Sequence, residues 1–359
     1  MTDIWINMGP QHPMTHGLWN LKIRVDGETI VDAVPILGYL HRGVEKLCER
    51  RDYTQIIPLM DRLCYVSSLT WSHAYCLAAE EMMGIEIPER AKYLRVIALE
   101  LQRIASHLMW LAAFGPDLGL LTALLYTMRE REFFLDMLQL LTGARMNQNY
   151  PRIGGVRNDM PPEFPHKCLK VLDYFEGKLK EYEKLFDESS IFLMRTQGVG
   201  YLRKEDAMNL GVTGPTLRGS NCPIDMRTHD PYEVYDELDW EVQVGKDGDC
   251  YSRYLVRMGE MWQSCQIIRE ALKKIPEGRI RVKPPKRPKG EGFRRTEDSR
   301  GEALIYIIGN GGESPYRVKI RSPIFANMRA VPVMLKGHRV ADVLAVMGSI
   351  DVCIGETDK

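Results

Sequence analysis

The sequence predicts a mainly α fold with small β elements, an α+β class, on three observations. Residues 90–111 place Leu94, Ile97, Leu101, Ile104 and Leu108 at three- and four-residue steps, the period of a helix face. Residues Trp19 to Val25 alternate apolar and polar and run into Asp26-Gly27, the pattern of a strand entering a hairpin turn. The chain has 359 residues, 45% of them hydrophobic, which is enough to bury a sizeable core.

Taken in order, residues 3–36 read as strands, with Thr29 to Val34 following the turn, so 1–37 is assigned to a small N-terminal sheet. From about 40 to 145 the pattern is helical. Pro88 lies near the start of one long helix, where its missing N–H costs least, and Gly115-Pro116-Asp117 ends it. A second long helix covers about 119–142 and stops at Gly143. Both are apolar over much of their surface, which predicts a place inside a bundle. Residues 165–187 form a helix with a charged face, 198–230 are irregular, and another helix spans about 249–274. These make up a helical core over 38–275. The basic, Pro- and Gly-rich segment 276–300 reads as an extended arm, exposed or gripping a partner. Residues 301–359 supply a hairpin (302–309 and 316–320), a last helix at about 339–348 and a tail.

Lys+Arg and Asp+Glu are 48 each, so the net charge is zero. That gives no electrostatic reason to expect nucleic acid, and it favours association because self-repulsion is weak. No run of 18 apolar residues is free of charge, and the N-terminus has neither a basic region nor an apolar stretch after it. A cytosolic protein able to dock on a membrane partner is expected. The eight cysteines form no C-x-x-C pair, which argues against a zinc knuckle or an iron–sulfur cluster held by this chain alone. Asn and Gln number nine each, a thermophilic trait, whereas nineteen Met and eight Cys pull the other way.

Five constellations could carry chemistry. His12 and His16 lie four apart in a loop pinned by Pro and Gly; they either aim imidazoles at a cavity or are ordinary hydrogen-bonded residues. Asp61 to Ser67 holds Cys64 and Tyr65, and Ser349 to Glu356 holds Cys353; alone, the two cysteines read as buried thiols. Asp117 interrupts two apolar helices, as a cap or as a site residue. Arg129-Glu130-Arg131-Glu132 reads as a solvated or salt-bridged helix face.

Together these segments resemble the 49-kDa or D-type subunit that lines the quinone site of complex I, and its relative, the large subunit of nickel–iron hydrogenases. The resemblance runs from Asn7 to Lys359 on NMGPQHPMTHG, GYLHRG (38–43), RLCYVSS, RVIALELQRIASHL (95–108), PDLG, REREF (129–133), NQNYPRIGGV (147–156), SPYRVKIRSP (314–323) and GSIDVCIGETDK. It implies a helical bundle core of the hydrogenase large-subunit type, with the site where the His16 loop, Cys64–Tyr65, Asp117 and the tail converge. In the quinone branch the head-group ligands fall on His16 and Tyr65, with a supporting acid at Asp117; Tyr and His can each donate a hydrogen bond and a proton to a carbonyl. Arg62 falls beside the partner's nearest cluster, where a cation stabilises the reduced state.

In the hydrogenase branch two C-x-x-C pairs hold nickel and iron. Here they fall on Cys64…Ser67 and Cys353…Glu356, so two thiolates of four are lost and no metal centre of that kind is expected. The surviving cysteines also depart from the quinone branch, as does Asn147, where that branch usually has His. This intermediate character resembles the ion-pumping sulfane sulfur reductases of anaerobic archaea, in which a thiolate attacking a sulfur–sulfur bond would form a persulfide. The preferred expectation is therefore reduction of sulfane or polysulfide sulfur, with quinone or methanophenazine reduction as the alternative and a non-catalytic coupling scaffold as a third. In each, the implied partners are a small subunit carrying a four-iron four-sulfur cluster, further hydrophilic-arm subunits, and antiporter-like and H-type membrane subunits. The implied location is the cytoplasmic face of the membrane.

Overall fold

The computed structural model describes residues 4–11 and 17–359. Five long helices dominate: Ser68–Met83, Glu89–Asp117, Leu121–Thr142, Phe164–Asp187 and Cys250–Lys274. They carry the hydrophobic core, and the mainly α class with small sheets expected from the sequence is what the chain adopts.

The Glu89–Asp117 helix is 29 residues long, about 43 Å at 1.5 Å per residue. It is buried on all sides, polar positions included: Arg95, Glu100, Gln102, Arg103, Ser106 and His107 are all inside. It runs two residues beyond Gly115, through Pro116. Pro116 has no N–H to give the Ala112 carbonyl, so the helix ends within the same turn, and Gly115 is needed for packing, because a Cβ there would meet the Ala123 Cβ of the next helix at 2.6 Å. Phe164–Asp187 is amphipathic as its charge pattern predicts, burying Phe164, Cys168, Leu172, Phe175, Leu179, Tyr182 and Phe186 at steps of three and four.

The Arg129–Glu132 stretch is salt-bridged as read, Arg129 and Glu132 being exposed and paired with Glu130 and Arg145, but its two middle residues are not solvated. Glu130 is fully buried and accepts hydrogen bonds from Arg129, Tyr174 and Tyr182, while Arg131 donates to the Ala105 carbonyl. Neighbouring residues cover Glu130 and Arg131 only, which alternation of charge along one helix cannot reveal.

Strands Ile4–Gln11, Trp19–Asp26 and Thr29–Ile36 form an antiparallel sheet in that order. Trp19, Leu21, Ile23 and Val25 point inward, and Gly27 turns the hairpin at φ 62°. The sheet is tied to the C-terminal part by Ile30 N–H donating to the His338 carbonyl.

The expected extended arm at 276–300 holds for residues 276–288, which are largely exposed and outside the named strands, and is corrected over 289–300. Lys289–Asp298 is a strand, paired along its length with Gly301–Asn310, which pairs in turn with Arg317–Arg321; the anticipated hairpin is a three-stranded sheet. Residues Thr296 to Arg300 are buried. The glycines that suggest flexibility serve close approach: a Cβ on Gly292 would lie 2.0 Å from the Ala78 carbonyl of the underlying helix. The first half of the segment is also laid down on the Ile153–Gly155 turn, with Val282 N–H donating to Gly154 O and Val156 N–H to Ile280 O. The tail consists of helix Val343–Ile350, Asp351 in the left-handed region at φ 60°, and helix Ile354–Asp358. Residues 198–230, read as irregular, contain three short helices, Lys204–Asn209, Gly214–Arg218 and Met226–His229.

Inside the bundle lies a network of buried ion pairs. Arg95 pairs with Glu80 and Glu233, and Glu233 also meets His73. Glu100 receives Arg103 and Arg227, and Arg218 bridges Glu260, Glu297 and Asp225. These pairs join helices 89–117 and 250–274 to the loop around 225–235 and to the strand at 297. Burial pushes Glu260 up, but Arg218 and His107 outweigh it and hold the carboxyl well below its ordinary value.

Candidate functional site

The last residues of the chain are clamped by two segments distant in sequence. In GYLHRG, the Gly38 and Leu40 N–H groups donate to the two carboxylate oxygens of Asp358, at 2.9 and 2.8 Å, and His41 Nδ1 lies 2.6 Å from the Asp358 carbonyl. Arg42 donates to the carbonyls of Arg62 and Gly355, both at 2.7 Å, so one guanidinium staples the 62–68 segment to the tail. Gly355 allows this contact, since a Cβ would stand 2.6 Å from the Leu63 carbonyl. Gly17, the described end of the N-terminal loop, abuts Leu40 and Ile354. His16 lies outside the described residues.

This clamp brings Cys64, Cys353 and Glu356 together. All three are buried, with one donor atom from each within 4.8 Å of the others. Arg300 Nη1 donates to Cys64 Sγ at 3.3 Å, and the same guanidinium reaches the Asp351 carbonyl (2.9 Å) and carboxylate (3.1 Å). Burial, reinforced by the adjacent Cys353, pushes the Cys64 thiol up despite Arg300. Burial and the nearby Asp298 push the Glu356 carboxyl well above its ordinary value. Ser322 donates to Glu356 Oε1 at 3.2 Å, while Oε2 has no hydrogen-bond partner among the described residues. The Ser67 hydroxyl is held by Asp298 and lies near Thr70.

Tyr65 follows Cys64 and is 39% exposed. Burial of its ring, with the neighbouring thiols, pushes its phenol up to about 12, so it carries its proton at neutral pH. Gln102 fixes the segment from below by donating to the Val66 carbonyl.

Arg62 is exposed at the end of helix Ile57–Asp61 and donates to the Pro58 carbonyl. Asn147 has φ 50°, and its loop is stitched to the same segment: Asn149 N–H donates to Asp61 Oδ2 at 2.7 Å and Ser68 Oγ to Gln148 Oε1 at 2.7 Å. Asp61, to which the sequence assigns no role of its own, is pushed up to about 6 by burial. Asp117 closes the long helix. It is half-buried, its pKa is raised by burial, and no hydrogen bond or ion pair joins it to Cys64, Cys353 or Glu356 among the described residues. The clamp thus assembles Cys64, Tyr65, Cys353 and Glu356. The Asn147 loop is tied through Asn149 to Asp61, the residue before Arg62, and Asp117 makes no hydrogen bond or ion pair to Cys64, Cys353 or Glu356 among the described residues.

Arg300, Asp298 and Asp351 form the ionic floor beneath the thiols. The first two fall in the segment read as an arm; the only signal for them is the acid–base alternation Glu297-Asp298-Ser299-Arg300 at the point where the strand enters the core. A four-thiolate nickel–iron centre does not fit these residues, because Ser67 faces Asp298 and a carboxylate occupies the place of the fourth thiolate.

Comparison with known proteins identifies the family. The model of the respiratory-chain NADH dehydrogenase 49 Kd subunit matches residues 117–287 and 282–359, and that of nickel-dependent hydrogenases matches 42–114. The chain is 46% identical to the D-type subunit of NADH-quinone oxidoreductase from Desulforamulus reducens, over 99% of this chain and 98% of the relative. It is 47% identical to the corresponding protein of Dehalococcoides mccartyi and 46% to that of Geobacillus kaustophilus, at the same coverage. Neither the archaeal sulfur-reductase assignment nor a thermophilic source finds support in these relatives. With close to half of all positions shared over nearly its full length, the chain belongs to the 49-kDa subunit family of the respiratory-chain NADH dehydrogenases.

Proposed function

We propose that the chain is the acceptor-site subunit of a complex I-like, membrane-associated oxidoreductase, and that the acceptor is a quinone. The family membership supports the quinone alternative over the sulfane reading that Cys64, Cys353 and Asn147 first suggest. The observation that carries the proposal is Tyr65: a half-exposed phenol on a segment fixed from below by Gln102 and from the side by Arg42, protonated at neutral pH. A quinone takes up two electrons and two protons to become a quinol. A phenol held in one place can donate a hydrogen bond to the carbonyl being reduced and then its proton. His16 is the second candidate donor, and Asp117 a supporting acid.

Electrons would come from a four-iron four-sulfur cluster in a small partner subunit. Among the described residues the one group of three close metal-type donors is Cys64, Cys353 and Glu356, which cannot hold such a cluster by itself. Arg62 and Asn147 are proposed to face that partner. No described helix is long and apolar enough to cross a membrane, so ion pumping would rest on membrane subunits of the antiporter and H types. Further hydrophilic-arm subunits would bring in the electrons, and the complex would lie on the cytoplasmic face. The test is acceptor-dependent turnover of the intact complex with a short-chain quinone and with polysulfide side by side. Turnover with quinone is expected; turnover with polysulfide alone would return the sulfane reading to first place.

A further inference from the structure

The Cys64–Cys353–Glu356 group is more than two leftover thiols. Two sulfurs and a carboxylate oxygen converge within 4.8 Å, each residue fully buried. Independently, Glu356 Oε2 is buried with no hydrogen-bond partner among the described residues, while Ser322 holds the other oxygen of the same carboxylate. A buried carboxylate oxygen left unpaired is costly unless something else satisfies it. The three donors come from two parts of the fold, Cys64 from the 62–68 segment and the other two from the tail.

We propose that Cys64, Cys353 and Glu356 form a site for one thiophilic divalent cation of the zinc class, which pins the C-terminal tail to the 62–68 segment. Two thiolates and a carboxylate suit a single tetrahedral d10 ion, with the fourth position left to a water molecule. This differs from a four-thiolate dinuclear centre, which Ser67 and Glu356 exclude. Two thiolates, one carboxylate and a dication sum to a single negative charge, and the Arg300 guanidinium donates to Cys64 Sγ beside it. Arg300 is in turn fixed by the Asp351 carbonyl and carboxylate, so the Cys64 sulfur has an oriented outer partner. Each ligand must be deprotonated to bind, so uptake of the ion releases protons. The proposal goes beyond the quinone reading and does not depend on it, because none of its readouts is turnover.

The test is a cobalt titration of the full-length, metal-free chain. One equivalent is expected to give sulfur-to-cobalt charge-transfer absorption and the intense visible bands of tetrahedral cobalt, both removed by added zinc, and zinc is expected to raise the Tm. Cys64→Ala and Cys353→Ala should each abolish the charge-transfer band and the Tm rise. Glu356→Gln should keep the band and require more cobalt to reach it. An absent band, or one that persists in the Cys64→Ala Cys353→Ala double variant, overturns the proposal. Should the cysteine variants fail to fold, zinc-edge X-ray absorption of the wild-type chain decides. Two sulfurs at about 2.3 Å with lighter ligands closer in are expected; oxygen and nitrogen only, or four sulfurs, would refute the site.

Discussion

For single residues, what the sequence makes legible is the chemistry-bearing side chain, and what it hides is the ionic surroundings. Cys64, Tyr65, Cys353 and Glu356 are picked out by resemblance and lie together or in sequence. Arg300 and Asp298 are not, because a charged residue near prolines and glycines looks solvated, and only the fold shows that strand Lys289–Asp298 carries them into the core. Asp61 escapes notice for the same reason: nothing local says that an acid at the end of a five-residue helix is buried. It makes a specific prediction. Folding raises its pKa from 3.8 to about 6, so the folded chain binds this proton more tightly than the unfolded chain. Stability should therefore fall as pH rises from about 4 to about 6 and stay level above. A shift of this size corresponds to about 2–3 kcal/mol. Asp61→Asn keeps an acceptor for the Asn149 N–H and should flatten that slope. Urea denaturation at pH 4.5 and 7.5 checks it; an unchanged slope in the variant would assign the pH dependence to other groups.

Among the elements, helices with strong periodicity are legible to within a few residues. Phe164–Asp187 and Cys250–Lys274 fall where the pattern puts them. The strand at 289–298 is not legible, because two of its glycines read as breakers when at least Gly292 is there to let the strand touch the helix beneath it. Gly292→Ala should thus be destabilising by at least about 1–3 kcal/mol, the cost of forcing atoms into a packed interface. Gly177 offers the contrasting case. It sits inside helix Phe164–Asp187 with open space around its Cβ position, so Gly177→Ala should stabilise by about 0.5–1 kcal/mol through helix propensity alone. Urea midpoints of the two variants against the parent chain test both signs at once. Equal shifts would mean that close approach is not what Gly292 provides.

Across the whole molecule, the fold class and the N-terminal sheet follow from pattern, but the way the bundle is held together does not. A helix as long and buried as Glu89–Asp117 suggests an apolar interior. The interior instead carries Arg95 and Glu100 in ion pairs with Glu233 and Arg227, His107 in a hydrogen bond with Glu260, and Arg103 paired with Glu100 on the same helix. Partners supplied from more than a hundred residues away leave no periodic signal. Removing one member leaves buried charge poorly compensated, so Arg227→Met, which takes one of two cationic partners from Glu100 and from Asp225, should cost about 3–5 kcal/mol. Because the pairs are shielded from solvent, that loss should change little with added salt. Guanidinium-free denaturation at two ionic strengths would show it, and a loss that vanished in high salt would mark the pairs as solvent-accessible.

The same interior holds the long helix rigidly beneath the Cys64–Tyr65 segment, with Gln102 reaching Val66 and Ser106 meeting Ser299. The clamp of GYLHRG and Arg42 on the tail then closes the site from the other side. In the proposed function this scaffold serves to present Tyr65 to a quinone. The decisive measurement is quinone-dependent turnover of the intact complex carrying Tyr65→Phe, with assembly and cluster content verified as unchanged. A fall in kcat/KM of at least about a hundredfold is predicted, the effect of removing a positioned proton donor. Full turnover in an intact Tyr65→Phe complex would contradict that role.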